Sequence, residues 1–177
     1  MPEISLASAV HAAARRLAEA GVPDPLVDAE LLAGHVLDAR RGEGQAAVIR
    51  GDAVTDDAAV ALDALVTRRS AREPLQHITG TAPFRHLELA VGPGVFVPRP
   101  ETETVVQYAI DALLASPLPA PIGIDLGTGS GAIALAMATE VPHSRVFAAE
   151  LSPEAYPWAV RNTAGVANLT LVQEDLA

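Results

Sequence analysis

The stretch Ile124-Asp125-Leu126-Gly127-Thr128-Gly129-Ser130-Gly131-Ala132 constrains the fold of this chain more than any other. Three closely spaced glycines let a backbone reverse sharply and let a ligand approach the peptide plane. The loop follows a short apolar strand and opens a helix. The residues around it repeat that unit: strand Ile122–Leu126, helix Ala132–Glu140, strand Arg145–Ala149, a helix over 153–164, strand Leu169–Val172. Strand–helix–strand alternation predicts a parallel α/β sheet. Pro157 falls inside the second of these helices and is expected to kink it.

The loop alone leaves its ligand open. Gly127, Gly129 and Ala132 also satisfy the dinucleotide fingerprint G-x-G-x-x-G/A, so a nicotinamide cofactor and S-adenosyl-L-methionine both fit the pattern. The surrounding charges separate them. Glu150 ends the next strand, 19 residues after Gly131, where an acid can accept hydrogen bonds from both ribose hydroxyls. Asp175 follows the third strand, on the adenine side of such folds, and Asp125 sits just below the loop. No basic residue lies between 121 and 140. Carboxylates would repel a pyrophosphate and attract a sulfonium, which favours S-adenosyl-L-methionine.

Before residue 75 the apolar spacing is mostly three and four, which is helical. Ser5 is positioned to cap a helix with Leu6, Val10, Ala13 and Leu17 on one side, ending at Gly21. Asp24-Pro25 opens a second helix. Gly42 and Gly44 are expected to break the chain before a short helix over 45–50. Thr55 caps a longer one through Leu62 and Val66. This reads as a helical bundle over residues 1–75. After Pro74, Leu87, Leu89 and Val91 alternate with Glu88 and Ala90, a strand signal. Gly92-Pro93-Gly94 then reads as a turn, and Val95-Phe96-Val97 as a second strand. The two form a β-hairpin linker over 76–98. Pro100 and the acids Glu101 and Glu103 suit the first turn of the helix that follows, and the remaining domain spans 99–177.

Composition narrows the function classes. Half of the 177 residues are hydrophobic, so a core can be buried, and there is no cysteine for a disulfide or thiolate metal site. Net charge is −10, and all twelve basic residues are arginine. Nonspecific nucleic-acid binding needs clustered cations, so no direct nucleic-acid contact is expected. No apolar run reaches the roughly 18 residues of a membrane span, and Met1-Pro2-Glu3-Ile4-Ser5 lacks a signal peptide's basic start. The expectation is a cytoplasmic protein without a membrane partner. His11, His35, His77, His86 and His143 show no metal-ligand spacing, so no metal is expected. Trp158 reads as core or interface.

Asp125–Leu126–Gly127 and the glycines after it resemble motif I of class I methyltransferases. Further stretches narrow the likeness: Pro74-Leu75-Gln76-His77-Ile78-Thr79-Gly80, Arg161-Asn162, and above all Gly94-Val95-Phe96-Val97-Pro98-Arg99-Pro100-Glu101-Thr102-Glu103. These resemble the release factor glutamine methyltransferases, the PrmC or HemK family, over essentially the whole chain. The resemblance implies an α/β, Rossmann-like class I methyltransferase domain, here incomplete, preceded by a small N-terminal helical bundle and a β-hairpin linker. It implies methyl transfer from S-adenosyl-L-methionine to the side-chain amide of a glutamine, in the Gly-Gly-Gln tip of a class I peptide chain release factor. Gly127, Thr128, Gly129, Ser130 and Gly131 would hold the methionine part of the cofactor. Glu150 would hold the ribose, where the family commonly has Asp. Leu176, beside Asp175, would give the adenine apolar contact without stacking. Arg99, Glu101 and Glu103 would sit near the cofactor mouth.

One departure weighs on this reading. The family's catalytic Asn-Pro-Pro-Tyr motif, whose Asn side chain and Pro carbonyl orient the poorly nucleophilic amide, would fall shortly after Asp175 and is absent from the sequence. The chain therefore reads as truncated, with a cofactor side, no catalytic residue of its own, and weak or absent catalysis. Two alternatives stay open: another class I protein or nucleic-acid methyltransferase, and a non-catalytic partner-binding fragment.

Overall fold

The computed structural model describes residues 5–39 and 41–175. They fall into two units, Met1–Thr79 and Gly80–Ala177.

In the first unit the Ser5 hydroxyl accepts the Ser8 N–H, starting α1 (Leu6–Glu19), and Thr55 does the same for Ala58 at the start of α4 (Asp56–Ser70). Between them lie α2 (Pro25–Val36) and α3 (Arg41–Arg50), and α5 (Leu75–Thr79) closes the unit. Leu6, Val10, Ala13 and Leu17 form one buried stripe of α1 against Ala29 and Leu32 of α2 and Leu62 and Val66 of α4. Arg69 of α4 pairs with the buried Asp28 of α2 at 2.7 Å. Gly42 and Gly44 were expected to break the chain, but they lie inside α3. A Cβ on Gly44 would stand 3.5 Å from the Cα of Gly34. The glycines there mark a close approach of two helices.

The second unit begins with a hairpin, β1 (Thr81–Phe84) and β2 (Leu87–Ala90), antiparallel with Phe84 opposite Leu87. Its turn is Arg85-His86, with Arg85 at φ 54°. Leu89 and Val91 point into the core, as the alternation predicted, but their partner strand precedes them in sequence. Val95–Val97 is not a strand, and Gly92-Pro93-Gly94 is not the hairpin turn. The hairpin packs within this unit: Ala82, Phe84, Leu89 and Val91 share one core with Val106 and Ile110 of α6 (Pro100–Ala115) and with residues of helix α7.

Strands β3 (Ile122–Leu126), β4 (Arg145–Ala149) and β5 (Leu169–Val172) form a parallel sheet in the order β3-β4-β5. Helices α7 (Ala132–Glu140) and α8 (Tyr156–Thr163) make the crossovers. Helix α7 is almost wholly apolar and small, and Ala134, Ala136 and Ala138 are buried between the sheet and α6. A Cβ on Gly123 would lie 3.2 Å from Met137 Sδ, so strand and helix pack closely there. Helix α8 starts later than expected. The Ser152 hydroxyl accepts the Glu154 and Ala155 N–H groups in a preceding turn. Pro157 therefore falls in the first turn of α8, where its missing N–H costs nothing and no kink results.

Candidate functional site

The three strands run parallel with Leu126, Ala149 and Val172 in register. The glycine loop, Glu150 and the segment carrying Asp175 therefore leave the sheet along one edge, the carboxyl edge where open α/β sheets bind ligands. Gly127, Gly129 and Gly131 have φ of 72°, 59° and 84°, a region that costs an L side chain about 1–2 kcal/mol. A Cβ on Gly131 would also crowd Thr163 Cγ2 at 3.2 Å, whereas one on Gly127 or Gly129 would meet nothing within 4 Å. The loop needs glycine for its path, and at two of the three positions the space beside it is open.

Each remaining loop contact fixes that path. The N–H groups of Gly127 and Thr128 both donate to Ala149 O at 2.9 and 3.0 Å, joining the loop to the end of β4. Asp125 Oδ2 accepts from Thr128 Oγ1 at 2.6 Å and from Ala134 N at 3.1 Å, joining the strand, the loop and the first turn of α7. Burial pushes the Asp125 carboxyl above the ordinary aspartate range. The bonds from Thr128 and Ala134 pull it down, and the charge on Glu150 adds to the rise. Thr128 and Ser130 are buried beside it.

Glu150 is buried too, and its carboxylate bridges two loops. Oε2 accepts the Gly129 N–H at 2.7 Å and Oε1 accepts the Ser152 N–H at 2.8 Å. A carboxylate has about four acceptor positions, and these two bonds use half of them. Asp175 is exposed beyond β5. Leu176 lies outside the described residues. Of the residues expected near the cofactor mouth, Arg99 and Glu101 are exposed at the start of α6. Glu103 goes elsewhere, since its Oε1 accepts the Arg85 N–H at the hairpin turn.

Sequence reasoning missed one participant. Asn162 of α8 donates to Ser130 O at 2.8 Å within the glycine loop and pairs with both backbone groups of Ala90. In the sequence it stood out only within the Arg161-Asn162 resemblance, which gave it no role. Trp158 donates Nε1–H to Pro93 O at 3.1 Å and packs against Gly92, where a Cβ would stand 2.5 Å from the ring. Gly92 is thus a seat for the indole, and Trp158 is a packing residue as expected. Among the described residues no group of three or more His, Cys, Asp or Glu could hold a metal ion.

Residues 8–80 match the family model of the PrmC N-terminal domain. A release factor glutamine methyltransferase of Streptomyces coelicolor is 56% identical over 160 residues, covering 90% of this chain and 55% of that protein. One from Bifidobacterium longum is 44% identical, covering 86% of this chain and 52% of that protein. One from Escherichia coli is 40% identical, covering 85% and 53%. The chain spans about half the length of the curated relatives it matches. Among solved structures, a protein-L-isoaspartate O-methyltransferase from Plasmodium falciparum overlays with a TM-score of 0.38 at 15% identity, over 55% of this chain and 45% of that one, a likeness too slight to inform the site.

Proposed function

We propose that this chain, a relative of the release factor glutamine methyltransferases, supplies the cofactor side of an enzyme that methylates the glutamine side-chain amide in the Gly-Gly-Gln motif of class I peptide chain release factors. The observation that carries the reading is the junction of loop and acid. Gly127 and Gly129 leave open space beside a backbone held in positive φ, and the carboxylate of Glu150 stands hydrogen-bonded to that same loop. The open, acidic and phosphate-averse character of this edge fits S-adenosyl-L-methionine. Gly127, Thr128, Gly129, Ser130 and Gly131 would line its methionine part, Glu150 its ribose, and Asp175 and Leu176 its adenine. Bound there, the cofactor would supply an electrophilic methyl group. This chain's own residues fix the loop path, exclude bulky side chains from the opening and keep negative charge beside it.

The protein substrate follows from the relatives' names and from the Pro98-Arg99-Pro100-Glu101-Thr102-Glu103 run. A release factor partner without direct nucleic-acid contact accords with the acidic charge; among the described residues no helix is long and apolar enough to cross a membrane.

The test is a chimera. Residues 1–175 are joined to the remaining half of the Streptomyces coelicolor relative and incubated with methyl-labelled S-adenosylmethionine and a class I release factor. Label is expected on the glutamine of Gly-Gly-Gln and on no residue of a factor carrying alanine there. A folded chimera that binds S-adenosylhomocysteine yet labels nothing would overturn the assignment of substrate.

A further inference from the structure

Asn162 uses all of its hydrogen-bonding capacity except one acceptor lone pair. Oδ1 accepts the Ala90 N–H at 2.8 Å. Nδ2 returns a hydrogen bond to Ala90 O at 2.9 Å and gives its second to Ser130 O at 2.8 Å. The carboxamide thereby pairs with Ala90 as a neighbouring strand would, at the last residue of β2. Its other hydrogen holds the carbonyl between Ser130 and Gly131. That peptide plane is fixed from both ends, because the Gly131 N–H donates to Thr128 O at 2.9 Å. Helix α8 meets the same loop again where Ala159 and Thr163 Cγ2 close on Gly131, and α8 with the turn before it meets the chain leaving the hairpin, where Trp158 packs on Gly92 and Glu154 on Gly94. One helix therefore holds the hairpin exit on one side and the glycine loop on the other, and a single side chain spans the two.

We propose that Asn162 is a positioning residue for the cofactor loop: it sets the orientation of the Ser130–Gly131 peptide from the hairpin, so that ligand affinity at the loop depends on a side chain from helix α8. The inference deepens the reading of this edge as an S-adenosylmethionine site and rests on it for the affinity readout. A single side-chain hydrogen bond to a loop carbonyl contributes only modestly to global stability. It is worth more to a site whose ligand needs one loop conformation in advance.

A matched comparison is available in the same unit. Asn168 also bridges two carbonyls through Nδ2, Ala138 O at 3.0 Å and Ser144 O at 3.2 Å, but before β5 and away from the loop. The experiment measures S-adenosylhomocysteine affinity by calorimetry, together with thermal stability, for the 177-residue chain and for Asn162→Ala, Asn162→Asp and Asn168→Ala. Asn162→Asp is nearly isosteric and keeps the acceptor for Ala90 N while turning an oxygen towards both Ala90 O and Ser130 O, so it serves if the alanine variant fails to fold. Both Asn162 variants are expected to bind about tenfold more weakly or worse, and Asn168→Ala to bind as the parent does despite a comparable loss of stability. Parent-like affinity in a folded Asn162 variant, or equal weakening in Asn168→Ala, would overturn the proposal. If the parent chain itself does not bind, the reading of the site has failed, and amide hydrogen exchange then decides the positioning role alone. Faster exchange at Gly131 in Asn162→Asp and not in Asn168→Ala is expected, and unchanged exchange at Gly131 would refute the role.

Discussion

The carboxylate of Glu150 receives N–H groups from Gly129 and Ser152, so shortening it leaves two backbone donors without their acceptor. Glu150→Ala is expected to cost about 1–3 kcal/mol of stability and to weaken S-adenosylhomocysteine binding by more than that loss alone explains, read from chemical denaturation and calorimetry on one sample. Retained affinity would show that the acid serves the loops and not the ligand. Asp125 makes a different prediction. Its folded-state pKa is raised, chiefly by burial. The folded state therefore holds this proton more tightly than the unfolded one. The contribution favours folding at low pH and is lost as pH rises through the raised value. Asp125→Asn keeps an amide oxygen for Thr128 and Ala134 and cannot ionise. Its stability relative to the parent should climb as pH rises above the ordinary aspartate range. A difference that stays flat with pH would contradict the account.

At the scale of elements, the hairpin depends on Arg85. Its guanidinium forks onto Glu140 at 2.5 and 2.7 Å and also reaches Gln107 Oε1 at 2.7 Å and Glu103 O at 3.3 Å. The turn is thus bound to α6 and to the end of α7. Arg85→Ala is expected to cost roughly 1–3 kcal/mol, the pair being less than a quarter exposed on either side. Hydrogen bonding to Arg85 lowers the Glu140 pKa, so the pair stabilises above the ordinary glutamate range and fades as pH falls through the lowered value. The gap between parent and Arg85→Ala should therefore narrow in acid, and thermal melts across pH would show it. The same residue explains why the hairpin was misread. Gly92-Pro93-Gly94 carries every mark of a turn, while Arg85-His86 carries none. Arg85 holds φ 54° because α6 and α7 hold its side chain, and that information is tertiary. Helices α1 and α4 were legible because Ser5 and Thr55 cap a period of three and four. Strands β3, β4 and β5 were legible to the residue because short apolar runs alternate with glycine and helix. The start of α8 was not, since a serine-capped turn and a first-turn proline imitate a longer helix.

At the scale of the molecule, one face of the sheet is apolar and open. Ile122, Ile124 and Leu126 are 55%, 64% and 61% exposed, and among the described residues β3 pairs only with β4. Open edges and contiguous apolar faces promote association. The 177-residue chain is expected to self-associate in sedimentation velocity, and Ile124→Lys to shift it towards monomer. A parent chain that stays monomeric at high concentration would contradict this. The candidate site itself was largely legible: Asp125, the glycine loop and Glu150 converge as their spacing implied. Asn162 was not, because its partners are backbone groups 32 and 72 residues away.

The central claim is that this sheet edge is built for S-adenosylmethionine. Calorimetric titration of the 177-residue chain with S-adenosylhomocysteine, and with NADH as the competing ligand class, tests it most directly. Saturable binding of S-adenosylhomocysteine alone is the predicted result. Binding of NADH, or of neither ligand by a chain that circular dichroism shows to be folded, would contradict it.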